Sequence, residues 1–208
     1  MPYNKNMKQV RKRLFISKKT GAIERFKLIK LALENECNTI VFSLDDPFFK
    51  SRNRNQKYIK LVKNYAINIE AGGRDLSLLL PRKLFLFNPD LFRMVQGRRT
   101  PSHHFCPTNP RTINIIADRA VQLINRAIEY MPAPRIFHLL PDEKHENTWC
   151  QCPACRAFRT AEQYIIAVNT VADVLSGFDH EAKIYYIDFD SEPEAARIKP
   201  RKNAIISG

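Results

Sequence analysis

Apolar residues along this chain recur at two periods, and the two periods alternate. Leu14-Phe-Ile-Ser17 is a short strand-like run. Ala22 to Glu36 carries Ile23, Phe26, Ile29 and Leu33 at helical spacing, which predicts an amphipathic helix. Thr39-Ile-Val-Phe-Ser43 is a nearly unbroken β-branched and aromatic run, as in a strand covered on both faces. Gln56 to Tyr65 predicts a helix, and Ile67-Asn-Ile-Glu70 predicts a strand ended by Gly72-Gly73. A long segment with many Pro, Phe and Arg residues follows, from Arg74 to Pro110. Thr112 to Tyr130 predicts a helix with Ile116, Ala120, Leu123, Ile124 and Ala127 on one face. Arg135 to Leu140 predicts a strand, Ala161 to Leu175 a helix, and Lys183 to Asp188 a strand; Ala204-Ile-Ile206 starts one more.

Repeated strand–helix alternation implies parallel strands joined by right-handed crossovers. An open doubly wound sheet and a (β/α)8 barrel both fit. Asp45-Asp46, Glu70-Ala-Gly-Gly73, Pro141-Asp142-Glu143 and Asp188-Phe-Asp190 each put polar residues just after a strand. A barrel gathers all such ends around one mouth. No G-x-G-x-x-G or phosphate-loop fingerprint supports the nucleotide binding typical of an open sheet. A whole barrel needs eight strands in roughly 250 residues, whereas this pattern has five and the start of a sixth in 208. The expected fold is therefore α/β, a partial (β/α)8 TIM barrel with about five to six parallel strands. We expect a single domain over 1–208, the N-terminal part of a barrel, with 1–12 as a basic extension. Unpaired strand edges in such an arc would favour self-association.

Charge widens the range of partners. The net charge of +13 admits nucleic acid or another polyanion. The basic residues are nevertheless scattered, in groups such as Lys8, Arg11, Lys12 and Arg13, and no helix carries a continuous basic stripe. A solvated basic surface is the simpler reading. No apolar run approaches the roughly 20 residues of a membrane span, and the N-terminus lacks the apolar core of a secretory signal. A cytoplasmic location is expected. Five cysteines, three of them clustered, suit thiols or metal ligands better than a secreted disulfide framework.

The chemistry concentrates between Pro134 and Cys155. An apolar strand stops at Pro141 and delivers Asp142 and Glu143, where α/β barrels keep catalytic acids. Cys150-x-Cys152-Pro-x-Cys155 follows, a spacing that suits one metal ion.

These residues resemble a family of bacterial proteins with glycoside-hydrolase-like TIM barrels, related to the β-hexosaminidase and α-glucuronidase barrels. The resemblance rests on Gly72-Gly73, Leu78-Leu-Leu-Pro81, Phe85, Asn88-Pro-Asp-Leu-Phe92, Gly97-Arg-Arg99 and Phe105-Cys-Pro-Thr-Asn-Pro110. It continues through Pro141-Asp-Glu143, Trp149-Cys-x-Cys-Pro-x-Cys155 and Asn169, and covers roughly residues 14 to 207. It implies that catalysis without a strand seven needs a missing half, an oligomeric partner or substrate-assisted chemistry. Hexosaminidase-like barrels use an adjacent Asp-Glu pair after strand four in that last way, and Asp142-Glu143 has that form. Arg74 stands where related barrels carry a sugar-contacting His after the Gly-Gly pair.

Glycoside hydrolysis needs a proton donor at the leaving oxygen and a second stabilising group. Glu143 as acid and Asp142 as orienting base is the natural assignment, with Glu146 in reserve; a solvated acidic turn is the alternative. Cys150, Cys152 and Cys155, with Cys106 or else His145 as fourth ligand, can form a closed structural zinc site. Reduced thiols packed under a loop and redox chemistry are the other readings. The Arg74–Pro110 segment is expected to wall one side of the mouth. From it Arg74, Arg98, Arg99, His103 and His104 can meet an acidic sugar or phosphate, unless the loop is merely packed by Phe85, Phe87 and Phe92. Trp149 offers either a sugar-stacking face or a packing residue. Cys37 reads as structural. The leading function is a carbohydrate-active barrel domain. The rival is a non-catalytic, metal-stabilised module binding nucleic acid or an acidic glycan.

Overall fold

A computed structural model of the protein describes residues 12–16, 20–46, 60, 64–74, 76–129, 134–141, 149–188 and 196–207. Its strands are β1 (Arg13–Ile16), β2 (Thr39–Phe42), β3 (Asn68–Gly73), β4 (Met94–Val95), β5 (Arg98–Arg99), β6 (Ile136–Leu139), β7 (Lys183–Tyr186) and β8 (Ala204–Ile206). The helices are α1 (Ala22–Glu34), α2 (Pro110–Glu129) and α3 (Thr160–Phe178). The helix expected over 56–65 falls mostly outside the described residues.

Six strands form one sheet in the order β1-β2-β3-β6-β7-β8, and every pairing is parallel. Spatial order follows chain order without reversal. A doubly wound sheet reverses at a switch point; a barrel arc does not. The topology therefore separates the two architectures that the sequence pattern left open.

Side chains alternate across each strand, and the two faces differ in kind. Ile40, Phe42, Ala71, Phe137, Leu139, Ile184 and Tyr186 point one way and are buried with Ile29, Ile116, Leu123, Val168 and Ala172 of the helices. Burying one such large apolar side chain contributes about 1.5–3 kcal/mol. The opposite, concave face carries Arg13 and Phe15, Val41, Glu70 and Gly72, His138, and Tyr185, all linked by strand register. Phe15 is 46% exposed there.

Several boundaries differ from the pattern for local reasons. The helix α1 stops two residues early because Glu36 takes a positive φ of 58° and the Cys37 N–H turns back to the Ala32 carbonyl. The helix α2 starts at Pro110, whose missing N–H costs nothing in a first turn; the Asn109 side chain accepts the Arg111 N–H at 3.0 Å. The helix α3 begins where Glu162, buried, accepts the backbone N–H groups of Arg159 at 2.8 Å and Arg197 at 2.7 Å. Its last turns extend past Leu175 to Phe178.

Gly72-Gly73 does not end β3, as expected, but continues it. Gly72 has φ +109° and pairs with His138, and a Cβ on it would lie 2.0 Å from the His138 carbonyl oxygen. Only glycine fits that approach. The Arg74–Pro110 segment is also more ordered than a loop. Three short 3-10 turns, Leu76–Leu79, Arg82–Leu86 and Pro89–Leu91, precede the antiparallel hairpin β4–β5. Leu76, Leu79, Leu80, Leu91, Phe92 and Phe105 anchor it in the main core, whereas Phe87 is 84% exposed and packs nothing.

Candidate functional site

Because the sheet is parallel, its strand ends share one rim. At the end of β2, Asp46 is buried and forms a two-point ion pair with Arg25, with Nη1–Oδ1 and Nη2–Oδ2 each 2.9 Å. Asp45 lies 3.6 Å from Arg126. Both carboxylates are thus tied to helices. Arg74 is exposed just past β3, and Asp188 is exposed past β7. Past β6, the Leu140 N–H donates to the Gly73 carbonyl at 2.7 Å, and Pro141 is buried. Asp142, Glu143, His145 and Glu146 lie outside the described residues.

The concave face holds a cluster that sequence reasoning missed. Glu70 Oε2 accepts from Arg13 Nε at 2.7 Å and is hydrogen-bonded to His138 Nε2 at 2.6 Å. His138 is buried, with Phe15 and Tyr185 edge-on to its ring at 5.2 and 5.4 Å. The Arg13 guanidinium lies 5.3 Å over the Tyr185 ring. Burial alone would raise the Glu70 pKa; hydrogen bonds from His138 and Arg13 outweigh it and hold the carboxyl below its usual range. The signal was present in the sequence as one ionisable residue inside each strand, Glu70 in Asn68–Gly73 and His138 in the otherwise apolar Ile136–Leu139.

The second cluster joins distant parts of the chain. Cys106 comes from the end of the long insert, and Cys150, Cys152 and Cys155 come from the segment before α3. All four are buried, and their sulfurs lie within 4.8 Å of one another. Cys106 Sγ is 3.7 Å from Cys152 Sγ and 3.6 Å from Cys155 Sγ. A disulfide needs about 2.05 Å, so these are free thiols. Zinc–sulfur bonds of about 2.3 Å at tetrahedral angles put sulfurs about 3.8 Å apart. The donor set and its spacing therefore fit one tetrahedral metal ion. Cys37 stands apart and donates to the Lys12 carbonyl at 2.9 Å.

Polar groups surround the sulfurs. The Met94 N–H donates to Cys150 Sγ at 3.3 Å, and the Thr108 hydroxyl is 3.0 Å from Cys155 Sγ. Arg99 Nη1 lies 3.7 Å from Cys150 Sγ. Burial would lower the Arg99 pKa, but the Cys106, Cys150 and Cys152 sulfurs outweigh it and raise it. Hydrogen bonds from Cys150 and Cys155 pull the Cys106 thiol down, and the Cys106 sulfur in turn pushes Cys155 up. Gln163 ties the segment to α3: its Oε1 accepts the Cys150 N–H at 3.1 Å, and its Nε2 donates to the Cys150 carbonyl at 3.1 Å.

The residues expected to touch a sugar divide. Trp149 is 1% exposed, stacked on His104 at 4.0 Å and near Tyr164 at 5.9 Å. Its indole has no open face, which corrects the stacking-platform expectation in favour of packing. His104 is buried with it, and Arg99 turns toward the sulfurs. Arg74, Arg98 and His103 are exposed. The loop bearing them is braced from below. Arg82 donates to the His103 carbonyl, and Arg93 Nε donates to the Ser102 carbonyl at 2.8 Å.

The arc and its rim can be set beside solved structures. A β-N-acetylhexosaminidase superimposes with a TM-score of 0.54 at 14% identity, over 86% of this chain and 46% of the enzyme. The β-N-acetylhexosaminidase of Bacteroides fragilis NCTC 9343 gives a TM-score of 0.56 at 14% identity, over 95% of this chain and 44% of that one. In fold the chain is similar to part of a glycoside-hydrolase TIM barrel. It spans less than half the length of either enzyme. No protein-family model and no curated protein matches the sequence.

Proposed function

We propose that this chain is a carbohydrate-active barrel domain that binds or hydrolyses a glycan. One observation carries the reading. The strand β6 is the fourth of the arc and ends on the rim that all six strands share, and Asp142-Glu143 follows in the sequence three residues after that end. The fold likeness to the hexosaminidases supports it, and so does the adjacent Asp-Glu pair that the sequence resemblance implies. In this reading Glu143 holds a proton and passes it to the leaving oxygen as the glycosidic bond breaks. Asp142 orients the substrate group that assists from the other side. Arg74, Arg98 and His103, exposed on the neighbouring segment, suit an acidic or phosphorylated sugar. The outer edges of β1 and β8 would favour self-association.

The four cysteines are proposed to hold a structural zinc ion. Four thiolates close its coordination, so zinc would supply folding energy and leave no position for a substrate. A reducing, cytoplasmic setting suits free thiols. No helix among the described residues is long and apolar enough to cross a membrane.

Turnover of aryl and natural-type glycosides by the parent and Glu143→Gln tests the chemistry. We expect a loss on the order of 10²–10⁴ for the natural-type leaving group, the range for a missing general acid. The loss should be smaller for an activated aryl group, which needs less protonation. Equal turnover of both substrates by parent and variant would remove Glu143 from the acid role.

A further inference from the structure

The β4–β5 hairpin has no core of its own. Met94, Val95 and Arg99 are half-buried, and Gln96, Gly97 and Arg98 are exposed. An isolated two-stranded hairpin is marginal in water, so something else must hold it. Its hydrogen bonds show what that is. The Gln151 N–H donates to the Met94 carbonyl at 2.7 Å, and the Met94 N–H donates to Cys150 Sγ at 3.3 Å. The Gln96 N–H donates to Gln151 Oε1 at 3.3 Å, and Arg99 Nη1 reaches Cys150 Sγ. The Met94 side chain packs against the four sulfurs. The hydrogen bonds from 94–99 to the segment before α3 end on Cys150 and Gln151, while Arg99 Nη1 also donates to the nearby Phe92 carbonyl at 2.5 Å.

We infer that metal binding at the four cysteines docks the β4–β5 hairpin, through Cys150 as the shared sulfur and Arg99 as its counter-cation. The inference rests on the zinc reading and deepens it. A neutral thiol is a weak acceptor, whereas a metal-bound thiolate is a charged one. Four thiolates around a divalent ion leave a net negative charge in a buried place. Such charge needs a partner, and the Arg99 guanidinium stands beside it. Groups of this outer kind commonly alter metal affinity by 10–100-fold. Loss of the ion would weaken the Met94 and Arg99 contacts together and free the hairpin. Arg98 would move with it. A metal that never meets a glycan would thus fix one wall of the proposed cleft.

Hydrogen exchange read by mass spectrometry, paired with elemental analysis, tests this. Zinc-loaded protein is compared with protein stripped by a strong chelator under reducing conditions, and with Arg99→Met. Stripping should speed exchange at 94–99 by about tenfold or more, in line with the outer-contact range, while amides of β2 and β3 stay protected. Arg99→Met keeps all four ligands and should still bind one zinc, but release it to the chelator on the order of tenfold faster, with a loosened hairpin. Unchanged protection at 94–99 when 150–155 loses its own would overturn the docking inference alone. Failure to take up zinc at all would overturn the metal reading and the inference with it. If stripping unfolds the whole chain, Arg99→Met decides: a hairpin as protected as the parent's sinks the proposal.

Discussion

Oε2 of Glu70 and Nε2 of His138 sit 2.6 Å apart across the seam between β3 and β6. The contact joins two strands whose sequence positions are far apart, and Arg13 from the edge strand β1 completes it at 2.7 Å. A buried carboxylate of this kind contributes most while ionised.

That gives a pH prediction with a definite sign. Burial pushes the Glu70 pKa up, but His138 and Arg13 more than reverse it, so the folded pKa is lowered. A lowered folded pKa stabilises the fold above the unfolded value, about 4.3, and the gain disappears as pH falls through the folded value. Thermal unfolding of the parent should therefore lose stability below about pH 4.3 more steeply than Glu70→Gln. At neutral pH that substitution should cost about 3–5 kcal/mol, the range for breaking a buried pair. Glu162 shifts in the same direction and leaves the variant some slope. Parallel acid profiles would show that Glu70 is not the coupled group.

Gly72 and Gly97 make a matched comparison. Both have positive φ, but a Cβ at Gly72 meets the His138 carbonyl at 2.0 Å, while one at Gly97 meets nothing within 4 Å. Gly97→Ala should cost only strain, about 1 kcal/mol. Gly72→Ala must also part β3 from β6 and should cost about 3 kcal/mol or more. Urea midpoints of the two variants against the parent give the comparison; equal shifts would mean that the seam can widen freely.

Arg25 and Asp46 fasten the start of α1 to the exit of β2. Arg25→Met leaves a buried carboxylate uncompensated and should cost about 3–5 kcal/mol. Adding Asp46→Leu removes the orphaned charge and should recover much of that loss. A double variant as weak as the sum of its parts would show that the two residues do not interact.

The layout was legible because periodicity reports burial directly. Each strand of the six-stranded sheet and each α-helix has an apolar run behind it, whereas β5, Arg98–Arg99, has none and the β4–β5 hairpin was not legible. Polar residues after the strands pointed to a barrel rather than an open sheet. Cys106 was identifiable as the fourth sulfur because cysteine chemistry leaves few candidates, although it lies far from Cys150 in sequence. Partnership between strands was not legible. Glu70 and His138 each look like an isolated polar residue until register sets Gly72 beside His138. The Gly-Gly pair looked like a strand end because glycine's usual work is in turns, whereas here it admits a close backbone approach. Trp149 and Arg99 looked available to a ligand because sequence cannot tell an indole stacked on His104, or a guanidinium turned toward sulfur, from one facing solvent.

The arrangement of the sheet also sets an order of assembly. The strands β1, β2 and β3 are near neighbours in the chain, and so are β6, β7 and β8, but residues 74–135 intervene between β3 and β6. Contacts that close long loops form late and slowly. The two groups of strands should gain structure early, each with its helix, and then wait for one another. The rate-limiting event would be the closing of the β3–β6 seam, where a glycine meets a carbonyl and a carboxylate meets an imidazole. Substitutions at that seam should slow refolding more than equally destabilising changes inside either group.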